Sequence, residues 1–243
     1  MKITATAVTN TGRRANNEDC YLVAETLNLY AVADGMGGYA GGEIASRLTV
    51  EQLEAFIAHN LRDAAGTWPC KEDKRLSYAE NLLRAAVAHA HETIAANRTG
   101  DLDQMGSTVV AVLVEGPKAT LAHVGDSRIY RLRQGTLTQL TRDHSLWAEL
   151  EAAGLQPGER SGFAHKNVVT RALGIDTAHR PDVCTVALEP GDRLLLCSDG
   201  LHDPLDEAAL KRLMTGDCDG LVRAAYDAGS SDNITAVLLS VGA

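Results

Sequence analysis

Three apolar runs in this chain each stop at an aspartate beside a glycine: LYAVADG at Asp34, ATLAHVGDS at Asp126 and RLLLCSDG at Asp199. Short runs this apolar read as buried strands. They demand a packed sheet and put carboxylates at its strand ends. A fourth residue, Asp232, stands just before the terminal run in SSDNITAVLL, and Glu18-Asp19 follows the asparagine pair in GRRANNED. One Asp-Gly is a common turn dipeptide, but three at strand ends form a pattern. Carboxylates gathered on one rim repel one another and lose hydration, a heavy cost unless a cation sits among them. The candidate donors are oxygens with no His or Cys companion, which suits Mg²⁺ or Mn²⁺ rather than zinc. Glycine beside a ligand lets the backbone approach an ion, so the Gly35 carbonyl is a candidate as well.

The stretch AVADGMGGYAGG, residues 31–42, also matches the G-x-G-x-x-G/A dinucleotide fingerprint. Its context fails. Asp34 directly precedes the first glycine, where its charge would repel a pyrophosphate, and the next 20 residues read as helix without a second parallel strand. No Gly-Lys-Ser/Thr follows, so a Walker loop fails too. Two divalent ions about 4 Å apart, with a water between them, instead form the usual device for in-line attack on phosphorus. Such a site needs a cation for the phosphate oxygens. Arg14 lies close to Glu18-Asp19, and its planar fork suits that task. Arg13 and Arg14 read equally well as a solvated pair at a strand end.

Along the chain, strands are expected at Ile3–Thr9 and Leu29–Ala33, then a helix from Gly42 to Leu61, a surface loop over 62–75 and a helix from Leu76 to Asn97. The β-dense stretch Thr108–Val114, Ala119–Val124, Ile129–Leu132 and Leu137–Leu140 reads as an antiparallel meander, because its connections are too short for crossovers. A short helix at Leu146–Ala153 follows. Strands are expected at Val168–Thr170, Val183–Leu188, Arg193–Cys197 and Asn233–Ser240, with helices at Asp206–Met214 and Gly220–Ala228. Blocks of strands around paired helices imply an α+β layered sandwich. No repeat or linker divides the 243 residues, which are taken as one domain, 1–243.

A net charge of −9 argues against nucleic acid or an anionic membrane as partner. The five cysteines (Cys20, Cys70, Cys184, Cys197, Cys218) are scattered without a C-x-x-C pair, as in reduced cytosolic proteins. No apolar run reaches the roughly 18 residues of a membrane span, and the start of the chain has no signal core. A cytoplasmic, monomeric protein is expected.

The segments TGRRANNED, VADGMGG, GSTVV, AHVGDSRIYRL, TRDHS, VVTRALG, LLLCSDGL and SDNITAVL, in this order, resemble the metal-dependent protein phosphatases (the PPM, or protein phosphatase 2C, family), particularly its short bacterial members. They run from about residue 10 to 240. The resemblance implies a four-layer α-β-β-α sandwich of two antiparallel sheets flanked by helices. It implies a centre of two Mn²⁺ or Mg²⁺ ions whose hydroxide hydrolyses phosphoserine and phosphothreonine. By position, Asp34 bridges the two ions, Asp199 and Asp232 complete the first site, and the Gly35 carbonyl helps hold the second. Glu18 or Asp19 lies at that second site, directly or through water. Asp126 with Asp199 matches the holders of a third, weaker ion. Arg14, five residues before Asp19, matches the phosphate-binding arginine, and Asn233 supports the ligands. Residues 146–167 fall where bacterial members carry a flap.

Many eukaryotic members carry His where this chain has Met36, and that His is thought to protonate the leaving alkoxide. Met cannot. His123 and His144 lie in the right motifs, although a lone His is more often structural. The expected partners are phosphorylated proteins, with a bacterial Ser/Thr kinase opposing the enzyme. An inactive member acting as a phosphoprotein-binding regulatory module is the alternative, disfavoured because every acidic position is filled. A phosphatase in a partner-switching pathway, acting on an anti-sigma-factor antagonist, is a second rival; those members usually carry an attached sensory domain, for which this length leaves no room.

Overall fold

The computed structural model describes residues 1–37, 41–62, 71–155, 158, 162–165, 167–175 and 180–242. Its elements, in chain order, are β1 (Ile3–Asn10), β2 (Asp19–Ala24), β3 (Leu29–Met36), α1 (Gly41–Arg62), α2 (Tyr78–Asn97), β4 (Gly106–Ser107), β5 (Val109–Glu115), β6 (Lys118–Val124), β7 (Arg128–Arg133) and β8 (Thr136–Gln139). They continue with α3 (Leu146–Ala152), β9 (Asp182–Ala187), β10 (Arg193–Cys197), α4 (Asp199–His202), α5 (Glu207–Leu213), α6 (Cys218–Asp227) and β11 (Ile234–Val241).

Two sheets result. One runs β1-β11-β10-β7-β8, the other β2-β3-β5-β6-β9 with β4 attached to β3, and every ladder between these strands is antiparallel. The central strands are apolar at nearly every position because both their faces are covered. Tyr30, Val32, Val110 and Val112 pack between the sheets against Leu194, Leu196, Val237 and Leu239. Their sequence neighbours Leu29, Ala31, Ala33, Val109 and Ala111 face α1 and α2, meeting Leu53, Ile57, Leu82 and Leu83. On the far side Leu195, Cys197, Ala236 and Leu238 meet Leu201, Leu210, Leu221 and Ala225 of the C-terminal helices. Three buried interfaces between four layers make the expected α-β-β-α sandwich. A parallel doubly wound sheet is excluded, since β3 lies antiparallel to both its neighbours.

Several expectations need correction. The four-strand meander is two hairpins in different sheets: β5 pairs β6 in one, β7 pairs β8 in the other. The Gly125–Ser127 connection between them crosses from sheet to sheet, which a short turn can do where two sheets meet at an edge. Val168–Thr170 is not a strand. Its β-branched residues find only an isolated bridge, Ser145 to Val169, and propensity without a partner strand makes no ladder. The strand expected to stop at Ala33 continues to Met36, since Asp34 pairs with Asp19 and Gly35-Met36 pair with Ser107-Gly106. The second helix starts at Tyr78 because Ser77 caps it, exchanging hydrogen bonds with Glu80. The short α4 at Asp199 was not anticipated. Of the 62–75 loop, residues 63–70 lie outside the described residues, as do 156–157, 159–161 and 166 of the 146–167 flap. Among the described residues, no helix is long and apolar enough to cross a membrane.

Candidate metal centre

The sheet register puts the acidic residues at one end of the sandwich. In the first sheet Cys197, at the end of β10, lies opposite both Arg128 at the start of β7 and Ala236 near the start of β11. Asp199, Asp126 and Asp232 therefore share one edge. In the second sheet Asp19, opening β2, lies directly opposite Asp34 on β3. Between these ends opens a cavity of about 560 Å³, and every predicted site residue except Asp19 lines it.

The carboxylates feel one another. Burial, followed by the charges of Asp19, Asp199, Asp126 and Asp232, pushes the Asp34 carboxyl well above the usual carboxylate range. Asp19 stands behind the cavity, 8% exposed. Burial raises its carboxyl to about 7, against hydrogen bonds from Thr235 and Ser198 that pull it down. Ser198 Oγ donates to Asp19 Oδ2 at 2.7 Å, and Asp19 Oδ1 is buried without a hydrogen-bond partner among the described residues. Glu18 is on the wall, its carboxyl raised by burial, with Arg14 opposing. Of the two neighbouring acids, the structure thus turns Glu18 to the cavity and Asp19 to the interior.

Arg14 and Arg13 part company. Arg14 Nη2 donates to Asp232 Oδ2 at 2.7 Å and Nε to the Ser231 carbonyl at 3.2 Å, which holds the guanidinium on the cavity wall. Arg13 lies over the Tyr226 ring, 5.2 Å from its centroid, and is turned toward α6. Asn233 ties the loop bearing Arg14 to the start of β11. Its Oδ1 accepts from the Glu18 amide at 2.8 Å, and its Nδ2 donates to the Thr11 and Asn16 carbonyls.

Glycines permit this crowding, as Gly35 and Gly200 show. A β-carbon on Gly35 would collide with the Gly42 carbonyl, and one on Gly200 with the Asn233 carbonyl. Both neighbours are backbone and cannot rotate away. Gly200→Ala should therefore lower Tm by roughly 2–12 °C, from overpacking of about one to three kcal/mol. Calorimetry checks it, and an unchanged midpoint would show that α4 can drift from β11 without cost.

Two supports were missed from the sequence. Ser198 bridges Asp19 and the Thr235 amide, and Thr108 Oγ1 accepts from the Asp34 amide while bonding Ser127. Each sits in one of the motifs named above, CSDG and GSTVV, where a hydroxyl beside an acid reads as an ordinary turn residue. Met36 lines the cavity, whereas His123 and His144 do not: they stack on each other away from it, ring centroids 4.5 Å apart.

The donor set fits divalent cations such as Mn²⁺ or Mg²⁺. It is all oxygen, its acids face one cavity with Arg14 as the cation on the described wall, and Asp19 Oδ1 is orphaned in the interior. The family model described as protein phosphatase 2C matches residues 10–237. The chain belongs to that family. It is 38% identical over 238 residues to the serine/threonine protein phosphatase PstP of Mycobacterium tuberculosis, covering 94% of this chain and 43% of that protein. With the serine/threonine phosphatase stp of Listeria welshimeri it shares 35% identity over 247 residues, 95% of this chain and 93% of that one. The solved catalytic domain of PstP in complex with two manganese ions superposes with a TM-score of 0.82 at 33% identity, covering 99% of each chain. As a phosphatase 2C member, the chain thus spans under half of one curated relative and nearly all of another.

Proposed function

We propose that this protein is a divalent-metal-dependent serine/threonine protein phosphatase. The observation that carries the reading is the single cavity that gathers Asp34, Asp126, Asp199 and Asp232 with Glu18, the Gly35 backbone and Arg14. Asp34, Asp199, Asp232 and the Gly35 carbonyl would hold two Mn²⁺ or Mg²⁺ ions, and Asp126 with Asp199 a third. When bound, such ions polarise the phosphoryl group and make water a stronger nucleophile at neutral pH.

The chain's own residues do the rest. Arg14 swings from Asp232 to two phosphoryl oxygens, a bidentate contact that orients the ester and offsets charge in the transition state. Asp34 keeps a fixed position because its amide donates to Thr108 and its carbonyl accepts from the Thr108 amide at 2.8 Å. Water oxygen bonds to phosphorus as the serine or threonine oxygen leaves, so no phosphoenzyme forms. No described histidine lines the cavity, so the leaving alkoxide takes its proton from water in the open site rather than from a side chain at Met36. The kinase-opposing role, the cytoplasmic setting and a monomeric state belong to this reading as well.

With Mn²⁺ present, the protein should release inorganic phosphate from phosphoserine and phosphothreonine peptides; a protein that binds them without turnover would be the inactive regulatory module instead. Arg14→Ala should cut kcat/KM for such peptides about 10- to 100-fold, the loss of one bidentate charged contact. Its exposed pair with Asp232, side chains 53% and 32% accessible, adds little to stability, so Tm should move little. Steady-state kinetics beside calorimetry separates the two effects, and a wild-type kcat/KM would remove Arg14 from phosphate binding.

A further inference from the structure

Gly125 and Asp126 sit on the connection that crosses between the sheets, and one residue holds that connection twice, once through its backbone and once through its ring. The His144 amide donates to the Gly125 carbonyl at 2.8 Å, and the Gly125 amide donates to His144 Nδ1 at 3.1 Å. An accepting Nδ1 bears no proton, so the neutral ring carries its hydrogen on Nε2. That nitrogen faces Asp182 Oδ2 at 3.3 Å, at the start of β9, and Arg171 donates to the other oxygen of Asp182 at 3.1 Å. His123 stacks on the ring and is itself tied to the Arg142 carbonyl at 2.8 Å. His144 is 5% exposed. Nothing in this array leaves it free to rotate.

His123, His144 and Asp182 also offer ligand atoms within 4.8 Å of one another, which could suggest a transition-metal site. The proton pattern opposes it. A metal on His144 Nε2 needs the hydrogen moved to Nδ1, where it would confront the Gly125 amide. The Arg171 guanidinium, 3.2 Å from Nε2, would face the ion as a like charge. Stacked rings, tilted by only 19°, also point their lone pairs side by side rather than at one centre.

We infer that His144, held by Asp182, is a positioning residue that sets the Gly125-Asp126 backbone and so aims Asp126 at its ion; this rests on the phosphatase reading and on Asp126 as a ligand. Gly125 takes φ +104°, a conformation that favours glycine, and its amide points to a side-chain acceptor, His144 Nδ1. Were that acceptor lost, the buried amide would go unsatisfied and the connection would shift to find another partner.

The two amide isosteres of histidine separate the role from mere packing. In His144→Asn the side-chain oxygen falls where Nδ1 was and keeps the Gly125 acceptor. In His144→Gln the terminal amide reaches toward Asp182 and the acceptor is lost. The His144→Gln protein should lose about tenfold in kcat with KM nearly unchanged, and calorimetric Mn²⁺ titration should show a weakened weakest site. His144→Asn should recover most of both. In an Asp126→Asn background, His144→Gln should add less than about twofold, since both changes act on one ligand. Nitrogen NMR of the unaltered protein should show His144 with a bare Nδ1 and a Gly125 amide protected from exchange.

A protonated Nδ1, an unprotected Gly125 amide, equal losses in the two variants or full additivity with Asp126→Asn would each overturn the inference. Asp126→Asn matching the unaltered protein in Mn²⁺ binding and rate would fail the ligand reading alone. In that event the ring tautomer and the Gly125 amide still decide whether His144 holds the connection.

Discussion

Removing divalent metal should abolish hydrolysis of p-nitrophenyl phosphate, and Mn²⁺ added back should restore it. The same addition should raise Tm, by more at pH 8 than at pH 5. Without cation, Asp34 and Asp19 lose hydration and face further acids, so both hold protons more tightly than in the unfolded chain. A carboxyl raised in the folded state binds more protons there than when unfolded, and its contribution to stability falls as pH rises between the two pKa values. For Asp19 that window runs from 3.8 to about 7. Every tenfold difference in proton affinity between the two states corresponds to about 1.4 kcal/mol, so the metal-free protein carries its largest electrostatic cost at neutral and alkaline pH. A cation that binds these groups ionised removes that cost and releases protons. Assays in excess chelator, with scanning calorimetry across the pH range, check both parts. Activity persisting in EDTA would sink the metal mechanism, and a Tm increment independent of pH would show that the acids are ionised before metal arrives.

Much of this centre was legible because acidic residues at the ends of apolar runs conflict with the runs themselves. A strand buried on both faces shows no alternation, so LYAVADG and RLLLCSDG announced strands without saying which sheet held them. The crossing at Gly125–Ser127 stayed hidden for a related reason: a Gly-Asp-Ser turn looks the same whether it closes a hairpin or passes between sheets, and only long-range pairing decides. The choice between Glu18 and Asp19 could not be made from spacing. Neighbouring strand residues point to opposite faces, and nothing local tells which face becomes the rim. In the structure Ser198 takes Asp19 inward while Glu18 turns to the cavity. Arg13 and Arg14 were ambiguous for want of their partners, Tyr226 and Asp232, which lie more than 200 residues away along the chain. His144 read as an isolated histidine, and its acceptor role needs Gly125 brought beside it by the fold.

Asp34→Asn should lower turnover by about 1,000-fold or more, some 4 kcal/mol of transition-state stabilisation, while the metal-free protein keeps or gains stability. The two halves have one cause. Asp34 is the acid on which the neighbouring charges of Asp19, Asp199, Asp126 and Asp232 act together. An amide of the same shape removes a carboxyl whose ionised form, without cation, is opposed by lost hydration and by its acidic neighbours. Its backbone partners Thr108 and Ser107 are untouched by the change, so β3 should keep its register. A neutral amide would hold divalent cations far more weakly than a carboxylate, however, and Mn²⁺ should then raise Tm far less than in the unaltered protein. Kinetics with Mn²⁺, paired with calorimetry with and without it, reads all three quantities. Near wild-type turnover would remove Asp34 from the centre of the site. A large fall in the metal-free Tm would show instead that the carboxylate holds the fold together, and lost activity would then say nothing about catalysis.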